Sequence, residues 1–357
     1  MTSDSIGEVL KTASFPSDVK AYMADVDYNL MYKYIREYYS DDDKYVEPLT
    51  CEISGDESFS RQTSIGVIPE NPTEIQNIEM TDFEFSNYSL DALELLGIDT
   101  DEIWNGRVAT GAYRPDGTLE IAETDYYTIS FFAYALMVES ALVSENTTFN
   151  RDIDGKNMVV RDRFASDVTD FSDKPWFATG ISSGGVVANI TDDEIRLLLG
   201  KRSSEPRVNK NMYSIIPNGI VTPDQLDGGT MMDATRERFE DEMFNYKSKG
   251  SNFFDQHVEP VDVLTGWNLR HASLSSVHGL LVDSEESYER LNKLADSNME
   301  FENLVTVDVM DASSLVEFLE SNPVSPICIA SICRFLEVID SEDKYPDLPY
   351  SVSTNIS

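Results

Sequence analysis

The chain has 357 residues, with 27 basic and 65 acidic side chains and a formal net charge of −38. That balance repels polyanions, so DNA, RNA and anionic membrane surfaces are not expected partners. The 41% of hydrophobic residues suffices for a real core, and the length suits about two domains.

The acidic excess runs through the whole sequence, and the basic residues are 15 Arg and 12 Lys. Such a composition resembles that of haloarchaeal cytoplasmic proteins, in which concentrated salt shortens the Debye length to about 3 Å and screens self-repulsion. An acidic viral or regulatory protein of an ordinary cytosol is the alternative. Cys51, Cys328 and Cys333 are too few and too unevenly spaced for a disulfide framework and are expected to be reduced. Met1-Thr2-Ser3-Asp4 lacks the basic and apolar regions of a signal peptide, and no apolar run approaches the roughly 18 residues of a membrane span. A cytoplasmic location follows as the expectation.

In chain order, Val19, Tyr22, Met23, Val26, Leu30, Tyr34 and Ile35 recur at three- and four-residue steps and predict an amphipathic helix over 17–39. The polar stretch 47–82 holds a strand or two, 90–96 is a short helix, and 121–143 runs from a strand into an apolar helix at Asp125. Polar residues over 144–174 place a domain join near residue 170. The expected division is an N-terminal mixed α/β domain over 1–170, a second domain over 171–340 and a polar tail over 341–357.

Beyond the join, 185–190 and 194–199 read as strands around the turn Thr191-Asp192-Asp193. A helix over 231–246 is followed by strands at 261–269 and 275–282, a helix at 285–296, a strand at 305–309, and helices at 313–319 and 326–338. Gly184-Gly185 and Gly228-Gly229 fit neither a dinucleotide fingerprint nor a P-loop and read as turns.

One segment carries chemistry. The strand ending Ser214-Ile215-Ile216 leads into Pro217-Asn218-Gly219 and then a helix with Ala234-Thr235-Arg236-Glu237-Arg238-Phe239-Glu240-Asp241. Glu237, Glu240 and Asp241 stand at i, i+3 and i+4, so they share one helical face about a turn apart, a set of hard oxygen donors suited to Mg²⁺. Over roughly 179–338 this order resembles a Nudix hydrolase. The resemblance implies a mixed sheet sandwiched between helices, an overall α/β (α+β) class, and Mg²⁺- or Mn²⁺-dependent cleavage of a pyrophosphate bond in a nucleoside diphosphate derivative. It assigns Glu240 and Asp241 to metal, Glu237 to metal or base, and Arg236 to orienting a carboxylate.

Several positions depart from the motif: Gly228 stands where a Glu is expected, Arg238 at the apolar position, Met243 at the glycine, and the loop after Gly219 is about three residues longer. They leave two outcomes open, a working site of altered geometry or a nucleotide-binding or regulatory module that has lost hydrolysis. Lys201, Arg202, Arg207 and Lys210 form a basic cluster that could meet substrate phosphates or neutralise neighbouring acids. Trp176, Phe177 and Tyr213 could stack on a base or pack in the core. His278 is expected to be a satisfied core residue, and Asp283, Glu285 and Glu286 either supply a loop carboxylate or open an acidic helix. The expected partner is a small nucleotide derivative, with homo-oligomerisation left open.

Overall fold

The computed structural model describes residues 48–68, 74–77, 105–113, 117–126, 129, 151–153, 156–158, 180–203, 211–227, 229–244, 252–268, 273–295 and 301–356. The expected helices at 17–39 and 90–96, most of that at 126–142, and Trp176, Phe177, Arg207, Lys210 and Gly228 lie outside these residues.

The chain enters the sheet as β1 (Pro48–Ser54) and β2 (Ser58–Ile68), a tight antiparallel pair. There follow β3 (Glu74–Asn77), β4 (Arg107–Tyr113), β5 (Thr118–Asp125) and a small separate hairpin, β6 (Arg151–Ile153) with β7 (Lys156–Met158). The central strand β8 (Gly180–Ile190) turns into β9 (Ile195–Arg202) through the predicted Thr191–Asp193 connection, where Thr191 N donates to Glu194 O at 2.8 Å. Next come β10 (Tyr213–Ile215), β11 (Asn218–Ile220), the single-turn α1 (Pro223–Leu226), α2 (Met231–Phe244) and α3 (Phe253–His257). The strands β12 (Val258–Asn268) and β13 (Ser273–Val282), then α4 (Glu285–Ala295), β14 (Phe301–Asp308), α5 (Ala312–Ser321), α6 (Pro326–Asp340) and β15 (Ser351–Ile356) complete the order. The protein is thus a mixed α/β structure built on one large mixed sheet.

The sheet runs β15-β1-β2-β12-β13-β8-β4-β5-β3, so strands from both sides of residue 170 and from beyond residue 340 pair within it. β8 lies parallel to β13 on one side. Its other side is shared by β4 at Gly180, β11 at 182–184 and β9 at 187–190. A strand with neighbours on both sides and helices over both faces has no solvent face, which is why β8 reads Gly-Ile-Ser-Ser-Gly-Gly-Val-Val-Ala-Asn-Ile without alternating charge.

Side chains from alternate positions serve different layers. Val186 and Ala188 point toward α5 and α6, packing with Leu315, Leu319, Ile329, Cys333 and Leu336. Val187 points the other way, into a cluster with Phe239 and Met243 of α2, Phe253 and Phe254 of α3, and Tyr288 and Leu291 of α4. The three cysteines are buried free thiols, as expected.

Gly184 and Gly185 lie inside β8, a correction to the expectation of a turn. Their reason is close approach: a Cβ on Gly184 would stand 2.9 Å from Ile215 Cδ1 and 3.2 Å from Pro217 O, and one on Gly185 would fall on Leu280 and 3.0 Å from Pro217 Cδ. The glycine pair is the floor on which the Pro217 bend rests, and Gly185 N donates to Pro217 O at 2.9 Å.

Candidate functional site

The predicted strand, bend and helix are all present. β10 pairs with β9, the chain bends at the cis Ile216–Pro217 peptide, and Asn218 and Gly219 then enter β11 against Ser183 and Gly184 rather than forming an open turn. Val221 extends the pairing, its N–H donating to Ile181 O and its carbonyl accepting from Ala109 N. α1 follows, a turn not anticipated from the sequence, begun by Pro223 and fixed by Gln225 Oε1 accepting from Thr222 N at 2.8 Å.

α2 starts at a reciprocal cap. Thr230 N and Oγ1 both donate to Asp233 Oδ2 at 2.9 Å, and Asp233 N donates back to Thr230 Oγ1 at 3.2 Å. The helix then presents two faces. Met231, Ala234, Thr235, Phe239, Glu242 and Met243 are buried against the sheet and its neighbours. Arg236 and Glu237 are exposed, and Glu240 and Asp241 are half-buried on the outward side.

The sequence-predicted carboxylates therefore share the outward face, as their spacing requires. Glu240 accepts a hydrogen bond from Phe254 N of α3 at 3.0 Å. Arg236 reaches Asp233 at 3.4 Å and Asp255 of α3 at 3.1 Å, so its carboxylate partners are these two. Among the described residues, no group of three or more His, Cys, Asp or Glu side chains converges on one metal position. The donor chemistry still suits Mg²⁺: Glu237 and Asp241 stand one helical turn apart, and Mg²⁺ takes one or two carboxylates and fills its shell with water and phosphate oxygens.

The inward face holds what sequence reasoning missed. Arg238 occupies the motif's apolar position, and its Nη1 donates to Glu242 Oε1 at 3.2 Å while its Nη2 donates to Ile220 O. Glu242, 3% exposed, accepts from Asn218 N at 3.2 Å through its other oxygen. The i, i+4 spacing of Arg238 and Glu242 was the available signal; the phase of the helix against the sheet, which buries both, was not visible.

Beneath α2, Thr235 Oγ1 lies 2.9 Å from His278 Nδ1 and donates to Met231 O at 3.0 Å. His278 is 4% exposed, with Asp262 3.7 Å from its Nε2. Burial pushes its pKa down to about 4, against a weaker upward pull from Asp262. This is the structural role expected of it. Because the unfolded chain takes up the proton near pH 6.5 and the folded chain only near 4, stability is complete above 6.5 and falls as pH drops through that window. The loss is on the order of 3 kcal/mol by pH 4. Denaturant titrations of the wild type and His278→Gln from pH 7 to 4.5 should show a shallower decline in the variant; parallel curves contradict the assignment.

Other predicted residues sit apart from the helix face. Asp283 accepts from His257 Nδ1 at 3.0 Å, and this bond, with further bonds from Ser287 and Ser284, holds its carboxyl below the usual range. Glu285 pairs with Arg196 at 3.3 Å at the start of α4. Arg202 lies at the end of β9 opposite Phe301, two residues beyond Gly200, whose backbone packs on Phe301 and Ile216. Lys201 pairs with Glu302 at 3.5 Å. Tyr213 packs edge-on against Phe318 with ring centroids 5.2 Å apart, the core-packing outcome.

Comparison with protein families and with curated proteins finds no match. Among solved structures, a MutT/Nudix family protein from Listeria innocua aligns at 13% identity and TM-score 0.31, over 45% of this chain and 93% of that one. A Nudix hydrolase from M. smegmatis aligns at 14% identity and TM-score 0.27, over 45% of this chain and 85% of that one. The Nudix domain of Shewanella oneidensis NrtR, solved with ADP ribose, aligns at 14% identity and TM-score 0.28, over 49% of this chain and 97% of that one. Likenesses at TM-scores of this size carry no argument about chemistry, for which the geometry of this chain's own residues is the ground.

Proposed function

We propose that the unit around α2 handles the pyrophosphate of a nucleoside diphosphate derivative and hydrolyses it in a Mg²⁺-dependent reaction of the Nudix type. The observation that carries this reading is the division of α2 into two acidic sets. Glu242 is spent inside the fold on Arg238 and Asn218, whereas Glu237, Glu240 and Asp241 stay on the outward face in the order the motif requires.

In this reading Glu237 and Asp241 hold the metal, Glu240 adds a donor or fixes the approach of α3, and Mn²⁺ can replace Mg²⁺. Bound metal would neutralise developing phosphate charge and lower the pKa of an attacking water. Glu237, the most exposed of the three, would serve as the base toward an attacking water, and Arg236 steadies the acidic surroundings through Asp233 and Asp255. Arg202, Arg207 and Lys210 are proposed to meet the distal phosphates.

The Glu240 to Phe254 hydrogen bond and the engagement of Arg236 by α3 favour a second reading, a nucleotide-binding regulator with the same cleft and no turnover. Melting curves with ADP-sugar-type ligands, with and without Mg²⁺, run beside product release, separate the two. Stabilisation with release supports hydrolysis, stabilisation without release supports the regulator, and neither refutes both.

We further propose a halophilic, cytoplasmic setting, supported by the net charge of −38. Among the described residues no helix is long and apolar enough to cross a membrane. Self-repulsion at that charge is screened as the Debye length shrinks from about 10 Å to about 3 Å. The melting temperature should therefore rise steadily between about 0.1 and about 1 M KCl. A flat or falling profile is the contrary result.

A further inference from the structure

We propose that Arg238 and Glu242 are positioning residues, a buried clamp that fixes the 218–220 backbone against α2 and so sets the spacing between the bend and the carboxylate helix. Only its catalytic consequence rests on the function proposed above. Both side chains are drawn inward, Arg238 at 17% side-chain exposure and Glu242 at 3%. Their bonds close a circuit: Asn218 N to Glu242 Oε2, Glu242 Oε1 to Arg238 Nη1, and Arg238 Nη2 to Ile220 O. One guanidinium and one carboxylate thereby serve the donor and the acceptor on either side of Gly219. Gly219 leaves room for this circuit, because a Cβ there would stand 2.7 Å from the Arg238 Cζ and push the guanidinium aside.

β11 needs such a device. It has three residues, and its ladder with β8 spans 218–220, with one further backbone bond at each end, Gly185 N to Pro217 O and Val221 N to Ile181 O. A ladder this short orders little by itself, and the 216–217 bend precedes it directly. A buried ion pair adds little stability over a well-packed apolar pair, so its contribution here lies in register and spacing. Leucine or methionine at position 238 would fill the same interior space and hold neither Asn218 N nor Ile220 O. Lysine would keep the charge without the planar fork that reaches two acceptors at once.

The clamp is tested in the full-length protein by NMR amide exchange at Asn218 in the wild type, Glu242→Gln and the double variant R238L/E242L. Gln offers one acceptor oxygen to two donors, so even this near-isosteric change opens the circuit. Exchange at Asn218 is expected to rise about tenfold or more in both variants, while the double variant keeps a near wild-type melting temperature. Where the wild type turns over, kcat should fall about tenfold with KM changed by less than about threefold, the signature of a displaced rather than a missing contact. Unchanged Asn218 exchange overturns the proposal, and Glu242→Gln alone decides the matter if the double variant does not fold. A rise in KM at constant kcat also overturns it, since the pair would then bind substrate directly. A wild type without turnover refutes the hydrolase reading and leaves the exchange result to decide the clamp.

Discussion

Glu237→Gln is expected to lower kcat by about 10²–10⁴-fold, the range for a general base that also borders a metal, while leaving the melting temperature unchanged. The two expectations come from one fact of placement. Glu237 is exposed on the outward face of α2, so removing its charge disturbs no interior contact. Glu242→Gln, five residues on and buried, should lower kcat only about tenfold, acting indirectly through the bend at Asn218. Steady-state kinetics on both variants, with melting curves as the folding control, separate chemistry from scaffold. Equal activity for Glu237→Gln and the wild type removes Glu237 from the mechanism.

Phe239→Ala should be the most damaging single truncation on α2, costing about 3–5 kcal/mol. Phe239 is fully buried and meets three other rings, with centroids 5.5 Å from Phe254, 6.2 Å from Phe253 and 6.3 Å from Phe244. These contacts tie α2 to α3, and through Leu280, Val282 and Tyr288 to the sheet and α4. Truncation leaves a cavity that three large rings cannot easily close, so the transfer and cavity penalties add. Denaturant unfolding measures the loss. A change below about 1 kcal/mol would mean that the aromatic cluster repacks and does not hold the helix.

Much of this architecture is legible in the residues. The apolar density of 185–190 and 194–199 on either side of a polar turn gives β8 and β9, and the helical run read over 231–246 gives α2. The Pro326-led apolar run gives α6, whose cap is Ser325 accepting from Cys328 N. These signals are local, each a property of a few neighbouring residues. What was illegible depends on partners distant in sequence. Gly184-Gly185 reads as a turn because it fits neither a dinucleotide fingerprint nor a P-loop; only the approach of Pro217 and Leu280 explains the pair inside β8. β15 lies in a polar tail whose pairing with β1 is fixed by residues about 300 positions away.

The site shows the same division. Its carboxylate spacing follows from helical geometry alone. Which carboxylate turns inward is a question of helix phase, and here Glu242 is taken by Asn218 and Arg238 while Glu240 meets Phe254. α3 was missed as an element, yet it supplies both the backbone donor to Glu240 and the Asp255 partner of Arg236. A five-residue helix shows too little periodicity to be recognised, although it decides the company that the motif residues keep.

Metal-dependent cleavage of a pyrophosphate bond on the outward acidic face of α2 is the proposal on which the functional reading stands. Its most direct test is product release by the wild-type protein in high-salt buffer, with a panel of nucleoside diphosphate derivatives and Mg²⁺ or Mn²⁺ titrated from zero. Release of nucleotide or phosphate that requires the metal and saturates with it is the expected result. No release at any metal concentration, or release indifferent to the metal, contradicts it.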